Sequence, residues 1–251
     1  MKYILSPLAV FAWIAVSCTS VHADLIQVAS GGTTSPSGSE DRIDVTLDTT
    51  AFASVGLWDA ASSTVGGGSV DGDLYYAFIA RPLNREGGAN YIPNPPGAVG
   101  GLPTPSGARG GGVISRGSTD VLGVGDNTSA HAYSTFGALT GDADLSNRLD
   151  LSPNLPVTFL VHVDYNASAA DTVNVTGTIP YHTTEHTRST SGDASFDLFR
   201  FMSDASNNGW EFSSVAFATT AEEALEAIPE PSTLLLGLVG FAMLACTRRR
   251  R

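Results

Sequence analysis

The chain has 251 residues, of which 25 are acidic and 13 are lysine or arginine, so its formal net charge is −12 at pH 7. Between Asp24 and Ile228 the balance is more negative, at −16, because 24 acidic residues face eight arginines and no lysine. A charge of this sign repels nucleic acid and anionic lipid, so neither is an expected partner. Cys18 and Cys246 both lie outside this region, which excludes a disulfide or a Cys-based metal site within it.

The N-terminus reads as an export signal. Lys2 supplies a positive charge, the run from Ile4 to Val16 is apolar, and Val21-His22-Ala23 has the small residues of a cleavage site. We therefore expect a signal peptide over residues 1–23, cut by a signal peptidase between Ala23 and Asp24. Lipoprotein processing at Cys18 remains the alternative.

Residues 24–227 are expected to form one secreted all-β domain. Short runs rich in β-branched and aromatic residues alternate with polar and turn-forming residues. Val157 to Tyr165 alternates most regularly, whereas Phe196, Leu198 and Phe201 are predicted to share one face with Phe199 on the other, so that Phe201 keeps register only through a bulge. An Ala/Glu stretch predicts one helix, Thr219 to Ala227. The predicted strands are Arg42 to Leu47, Asp73 to Ala80, Val113 to Ser115, Pro156 to Tyr165, Thr172 to Ile179, Ala194 to Met202 and Trp210 to Ala218.

Two segments are predicted to be long loops, Asn84 to Gly112 and Tyr181 to Asp193. The first contains fourteen Gly or Pro in 29 residues, and the second is dominated by Thr, Ser and His. Because loops carry binding residues and exposed aromatic rings can stack on sugars, Tyr91 and Tyr181 are candidate ligand-binding residues.

The second loop contains His182-Thr183-Thr184-Glu185-His186, which matches the His-x-x-Glu-His pattern of one zinc peptidase group. That chemistry needs a helix, so that both histidines share one face. Pro180 and the threonines disfavour a helix, and a polar surface segment is the expected structure.

An acidic segment, Asp142 to Asp150, is the best ion-site candidate. Side-chain oxygens at Asp142, Asp144, Ser146 and Asp150 follow the spacing of positions 1, 3, 5 and 9 of a calcium loop. Pro153 occupies position 12, where a bidentate carboxylate is needed. The segment therefore predicts either a weak calcium site or an acidic turn, and no other cofactor is expected.

Three stretches resemble strands of concanavalin A-like jelly-roll domains. Asp73 to Arg81 is similar to their "Leu-Tyr-x-Ser-Phe-Leu-x-Arg" strand, and Val157 to Ile179 is similar to their "Leu-Val-x-x-Ile-Asp-Phe … Asp-Thr-Val" hairpin. Trp210 to Thr220 resembles their closing strand more loosely. The resemblance implies a two-sheet β-sandwich whose relatives include carbohydrate binders and glycanases. The Glu-x-Asp-x-x-Glu strand of the catalytic branch is absent, and Glu40 to Asp44 is the nearest acidic cluster.

The C-terminus, residues 228–251, resembles the PEP-CTERM sorting signal. Pro229-Glu230-Pro231-Ser232-Thr233 precedes the apolar run Leu234 to Cys246, and Arg248, Arg249, Arg250 and Arg251 end the chain. As a helix, the uncharged stretch Ser232 to Thr247 would rise roughly 24 Å, slightly short of a bilayer core, and we expect it to be a transmembrane helix with the arginines at its end kept on the cytoplasmic side. The resemblance implies an exported protein held in the inner membrane until an exosortase cleaves near the motif, then passed to the cell surface or extracellular matrix.

These features together predict a non-enzymatic surface or matrix protein that associates with extracellular polysaccharide. A glycanase of the same fold and a purely structural biofilm or coat component are the alternatives.

Overall fold

The computed structural model describes residues 24–35, 39–83, 109–127, 132–139, 149–150, 156–178, 185–203 and 209–228. In these ranges the chain forms fifteen β-strands and two short helices. The strands are β1 Leu25–Ala29, β2 Asp41–Val45, β3 Trp58–Asp59, β4 Thr64–Val65, β5 Gly72–Pro82, β6 Arg109–Arg116, β7 Thr119–Asn127, β8 Ala132–Phe136, β9 Leu149–Asp150, β10 Val157–Tyr165, β11 Asp171–Thr178, β12 Glu185–Gly192, β13 Leu198–Ser203, β14 Trp210–Phe212 and β15 Val215–Ala218, and the helices are α1 Thr49–Ser54 and α2 Ala221–Glu226.

The strands form two antiparallel sheets that pack face to face. The first sheet has seven strands in the order β1-β15-β5-β10-β11-β12, with β14 also paired to β5. The second has six strands in the order β2-β13-β6-β7-β8-β9. A small two-stranded ribbon of β3 and β4 is connected to the sandwich by the β-bridge between Val65 and Phe196. The all-β sandwich predicted from the sequence is therefore confirmed.

Phenylalanine rings from both sheets fill the interior. Phe78 of β5 lies 6.1 Å from Phe199 and 5.6 Å from Phe201 of β13, measured between ring centroids. Phe217 of β15 reaches Phe199 at 5.6 Å, nearly perpendicular to it. These edge-to-face contacts complement the quadrupoles of the rings. These ring contacts connect the two sheets. The described part of the domain contains no cysteine that could connect them by a disulfide.

Strand β10 shows why the sequence pattern dictates the fold. Its residues alternate between buried and partly exposed, and the five predicted inward positions are all buried. Tyr165, the last of them, is 2 % exposed. A two-residue period places alternate side chains on opposite faces, so one face of β10 enters the core and the other carries polar groups.

Three sequence predictions are wrong in detail. Residues 185–192 of the predicted second loop form strand β12, because their backbone pairs with β11 along its whole length. Residues 109–112 of the predicted first loop belong to β6, where glycines allow close packing against Trp210 and Phe78. The predicted 194–202 strand begins only at Leu198 and contains no bulge, since Phe199 and Phe201 are two residues apart and point inward together.

The predicted C-terminal helix of the domain is confirmed as α2. The Thr220 hydroxyl caps its start by accepting a hydrogen bond from the Glu223 amide at 3.4 Å. Ala224 and Ile228 are buried against Ala77, Ile79 and Ala216, together with Ala218, on the outer face of the seven-stranded sheet. The helix therefore covers the β15–β5 part of that face.

Among the described residues, no helix is both long and apolar enough to cross a membrane. The predicted signal peptide and the predicted transmembrane run lie outside the described residues.

Candidate functional site

The outer face of the seven-stranded sheet changes character from β5 to β12. Over β15 and the middle of β5 it is apolar and covered by α2. Over one end of β5 and across β10, β11 and β12 it is mostly polar, because the outward residues of β10 and β11, apart from Leu160, are Thr, His, Asp and Asn. This polar, uncovered area is the strongest candidate site among the described residues.

Strand register aligns these polar side chains in two rows that cross four strands. We call the first the tyrosine row and the second the aspartate row, and together they form the polar face. The tyrosine row is Tyr75, His162, Asn174 and Ser189. The aspartate row is Asp73, Asp164, Thr172 and Ser191. With strands about 4.8 Å apart, each row is about 14 Å long.

One end of the tyrosine row is a stacked aromatic pair. The Tyr75 and His162 rings lie 4.3 Å apart between centroids, with 4° between their planes. His162 Nε2 hydrogen bonds to Asp73 Oδ1 at 2.7 Å, which fixes the imidazole. The His162 side chain is 25 % exposed and that of Asp73 is 54 % exposed, so ring edges and a carboxylate reach solvent together.

Hydrogen bonding also orders the far end of the row. The Ser189 hydroxyl donates to Asn174 Oδ1, which leaves the amide nitrogen of Asn174 free to donate outward. Asn174 is partly exposed and Ser189 is exposed.

The electrostatic environment of the polar face is acidic. Asp73 and Asp164 are directly opposite each other on β5 and β10, where like charges repel. The pKa of the Tyr75 hydroxyl is raised, first by burial and then by these two carboxylates, so Tyr75 stays neutral and can both donate and accept. Among the described residues no arginine forms an ion pair with either carboxylate.

A pocket adjoins the aspartate row at the β10–β11 turn. Its volume is about 280 Å³, and Gly66 to Gly68, Val70, residues 166–171 and Asp193 line it. Asp171 shapes the wall, since its carboxylate accepts hydrogen bonds from the amides of Asn166 at 3.0 Å and Ala194 at 2.8 Å. Burial raises the pKa of Asp171, while the same two hydrogen bonds act in the opposite direction.

The pKa of Asp193, on the other side of the pocket, is shifted in the opposite direction. Burial again disfavours its ionised form, but the Arg116 guanidinium and Ser195 donate to the carboxylate and lower its pKa overall. Both aspartates are therefore satisfied by protein groups, which assigns them to the architecture of this end of the sandwich.

Most site residues predicted from the sequence lie outside the described residues. These are Tyr91, Tyr181, Asp142, Asp144, Ser146, Ala23 and the C-terminal residues Pro229 to Thr233 and Arg248 to Arg251. The backbone of Asp150 pairs with Ala132 in β9, and the carbonyl of Asp24 accepts from the Thr219 amide at 2.9 Å. In the described part of the chain, no group of three or more His, Cys, Asp or Glu could hold a metal ion, so the calcium site stays a prediction.

Of the His-x-x-Glu-His segment, only Glu185 and His186 are among the described residues. Glu185 and His186 lie in β12 and pair with Thr178 and Gly177, so these two residues are extended and not helical. The expectation that this segment is not a helix is confirmed for them.

Sequence reasoning missed the polar face. The alternation predicted for β10 leaves His162 on the outward side, but its alignment with Asp73 and Tyr75 depends on the β5–β10 register. Those strands are 74 residues apart in sequence, from Pro82 to Val157, and nothing local in either sets the pairing.

Comparison with known proteins identifies the C-terminus. Residues 227–251 match the family model described as the PEP-CTERM protein-sorting motif. No curated protein matches the chain. The chain therefore carries an exosortase sorting motif: it is an exported protein, anchored at its C-terminus and then processed.

Solved structures with a similar arrangement are distant. The globular domain of T. cruzi calreticulin matches with a TM-score of 0.44 and 6 % identity, covering 81 % of this chain and 82 % of that one. The PL-14 alginate lyase from Aplysia kurodai matches at 0.35 and 11 %, covering 72 % and 83 %. The alginate lyase Aly36B, a mutant in complex with alginate tetrasaccharide, matches at 0.34 and 9 %, covering 77 % and 99 %. Likenesses this weak carry no argument, and the two-sheet β-sandwich is established by the strand pairing of this chain itself.

Proposed function

We propose that this exported protein binds extracellular polysaccharide through the polar face, as a non-enzymatic component of the cell surface or matrix. The observation that carries the proposal is the tyrosine row, in which a stacked aromatic pair and planar polar groups are aligned across four strands. Polysaccharides present apolar ring faces beside hydroxyl groups, and binding them calls for aromatic surface and fixed donors and acceptors in one place.

The dimensions of the polar face support a polymer rather than a single sugar. A row about 14 Å long offers successive contacts to several sugar rings. No described residue covers the face along β10 to β12, so a chain entering from the sheet edge could continue past it. Each contact is weak and exposed, and affinity for a polymer would come from their repetition.

The charge of the polar face indicates the class of polymer. Asp73 and Asp164, within a domain of net charge −16, repel polyuronates and favour neutral or amino-bearing glycans. An acidic polymer would need a divalent cation, such as calcium, shared between its carboxylates and those of the protein.

One observation favours a second candidate, a carbohydrate-active enzyme. The His162–Asp73 pair beside Tyr75 has the composition of a general acid–base group. Release of oligosaccharides or new chain ends from a bound glycan, abolished in His162→Ala, would support the enzyme. Absence of both binding and cleavage would leave the structural coat or biofilm role.

The test is binding of the processed protein to a neutral glucan, a partly deacetylated chitin and a polyuronate, each with calcium and with chelator. Thr172→Ala removes an exposed hydroxyl from the aspartate row, and Thr119→Ala, on the other sheet, is its matched control. We expect saturable binding to the first two polymers that weakens in Thr172→Ala and not in Thr119→Ala. No binding to any of the three under either condition would overturn the proposal.

A further inference from the structure

The last described residue, Ile228, lies on the same outer face that carries the proposed site, and we call its position the exit point. Ile228 is 5 % exposed and packs with Ala224 against the outer face of the seven-stranded sheet. Leu160 and Tyr75 pack against the same cluster. Tyr75 belongs to the tyrosine row, so the exit point adjoins the polar face.

The separation is short along the strand as well. Leu160 and His162 are alternate residues of β10 that share the outer face, and two residues of a strand rise about 6.6 Å. Ile228 and the stacked Tyr75–His162 pair are therefore separated by no more than about one or two side chains.

The tether to the membrane is also short. Five residues separate Ile228 from Leu234, where the apolar run of the sorting motif begins. However these residues are arranged, the six steps from the Cα of Ile228 to that of Leu234 span at most about 21 Å. If the polar face pointed away from the bilayer, the tether would have to run from Ile228 across the outer face to the sheet edge at β1 and then around the thickness of both sheets. The two sheets are packed about 10 Å apart and carry side chains on both outer faces, so this path is longer than the maximum span of the tether.

We infer that the anchored form holds the polar face towards the bilayer, or edge-on beside it, and that cleavage at the motif frees this face to bind polymer. The orientation of the anchored domain is inferred from geometry alone, whereas the gain of polymer binding after cleavage also rests on the proposed function. Asp73, Asp164 and the exposed Glu222 and Glu226 of α2 repel anionic lipid, so the face stays near the membrane without binding it. Processing would then act as a switch for binding, as well as a route to the surface.

The orientation is tested without any glycan. In full-length protein carrying Cys18→Ser and Cys246→Ser, reconstituted in vesicles, Thr172→Cys reports on the polar face and Thr119→Cys on the other sheet. The readout is the rate of labelling by a bulky polyethylene-glycol maleimide. We expect slow labelling of Thr172→Cys, and acceleration when about 30 Gly/Ser residues, with a mean reach of roughly 30 Å, are inserted between Ile228 and Pro229. Thr119→Cys should label at the same rate with and without the insert. Equal rates for Thr172→Cys with and without the insert would overturn the inference.

The consequence is tested separately, by binding of the neutral glucan and the partly deacetylated chitin to the same vesicles. Anchored wild-type protein should bind weakly or not at all, as expected when geometry forbids engagement. Protein with the insert should bind as well as the processed form. If labelling shows the orientation but the processed form binds no polymer, the proposed function fails and the orientation stands. If anchored and processed proteins bind alike, the switch is wrong.

Discussion

Tyr75 and His162 are register partners on β5 and β10, and their rings stack 4.3 Å apart with only 4° between their planes. The pair owes its geometry to the sheet, because the backbone pairing sets the separation and the Asp73 carboxylate holds the imidazole. A site built on paired strands is more rigid than one built on loops, so little conformational entropy is lost when a ligand binds.

Replacing His162 tests the pair directly. His162→Ala removes the stacked ring and the Asp73 partner, whereas His162→Phe keeps the ring and loses only the hydrogen bond. If the lost ring contact with the ligand contributes about 0.5–1.5 kcal/mol, as aromatic contacts do beyond burial, polysaccharide binding should weaken roughly two- to twelvefold in His162→Ala. His162→Phe should retain most of the affinity. Titration of the neutral glucan by calorimetry measures both. Equal affinity of wild type and His162→Ala would show that the pair takes no part in binding.

Phe199 of the six-stranded sheet packs against three aromatic rings of the seven-stranded sheet. It is fully buried and its ring contacts those of Tyr76, Phe78, Phe201 and Phe217. Truncating a buried phenylalanine leaves a cavity and costs about 3–5 kcal/mol, so Phe199→Ala should lower the free energy of unfolding by that amount. Leu225→Ala, at a side chain 39 % exposed on α2, should change it by less than about 0.5 kcal/mol. Urea denaturation followed by tryptophan fluorescence measures both, and similar midpoints would contradict the assignment of Phe199 to the core.

Local alternation predicted the strands because it determines which residues of a strand are buried, and the resemblance to jelly-roll domains implied that the strands form a two-sheet sandwich. The alternation predicted β10 closely, since Val157 to Tyr165 alternates without interruption and every inward residue is buried. It failed for β12, whose Thr, Ser and Arg composition resembles a loop. At the edge of the sheet, one backbone ladder to β11 is enough to make that segment a strand.

The candidate site was less predictable for a related reason. Predicted ligand residues were sought in loops, at Tyr91 and Tyr181, since loops carry function in many β-sandwiches. The polar face instead arises where outward residues from separate strands meet. Tyr75, His162 and Asn174 are far apart in sequence, and only long-range register makes them neighbours. The sorting motif was predictable because it is one continuous segment whose meaning needs no tertiary structure.

Two glycines with similar backbone conformations should respond differently to alanine. Gly66 has φ +71° and Gly56 has φ +79°, a region that costs an L-residue about 1–2 kcal/mol. A Cβ on Gly66 would lie 1.9 Å from Cε1 of the buried Tyr165 ring, whereas a Cβ on Gly56 would meet nothing within 4 Å.

Gly56→Ala should therefore lower the free energy of unfolding only by the backbone cost. Gly66→Ala should lower it by the same backbone cost and, in addition, by at least about 1–3 kcal/mol for displacing the Tyr165 ring. Chemical denaturation of the two variants gives the difference. Equal losses of stability would mean that the Tyr165 ring moves aside freely, against the tight packing seen at this end of the sandwich.

Asp193 and Asp171 should give opposite pH dependences of stability, although they line the same pocket. The pKa of Asp193 is lowered in the folded protein, so its contribution is complete above its unfolded pKa near 3.8. It is lost as the pH falls through the folded value. The pKa of Asp171 is raised, so the folded state is penalised once this carboxyl ionises, and stability falls as the pH rises from about 3.8 through the raised value.

The readout is the difference in unfolding free energy between wild type and each Asp→Asn variant, measured by urea denaturation from pH 3 to pH 7. The stability advantage of wild type over Asp193→Asn should grow with pH. It should stay within about 1 kcal/mol, because the Asp193 side chain is 61 % exposed and its pairing with Arg116 is screened by solvent. For Asp171→Asn the same difference should shrink with pH, since asparagine changes the hydrogen bonds to Asn166 and Ala194 by an amount that does not depend on pH. Slopes of the same sign would show that burial and the Arg116 contact do not set these two pKa values.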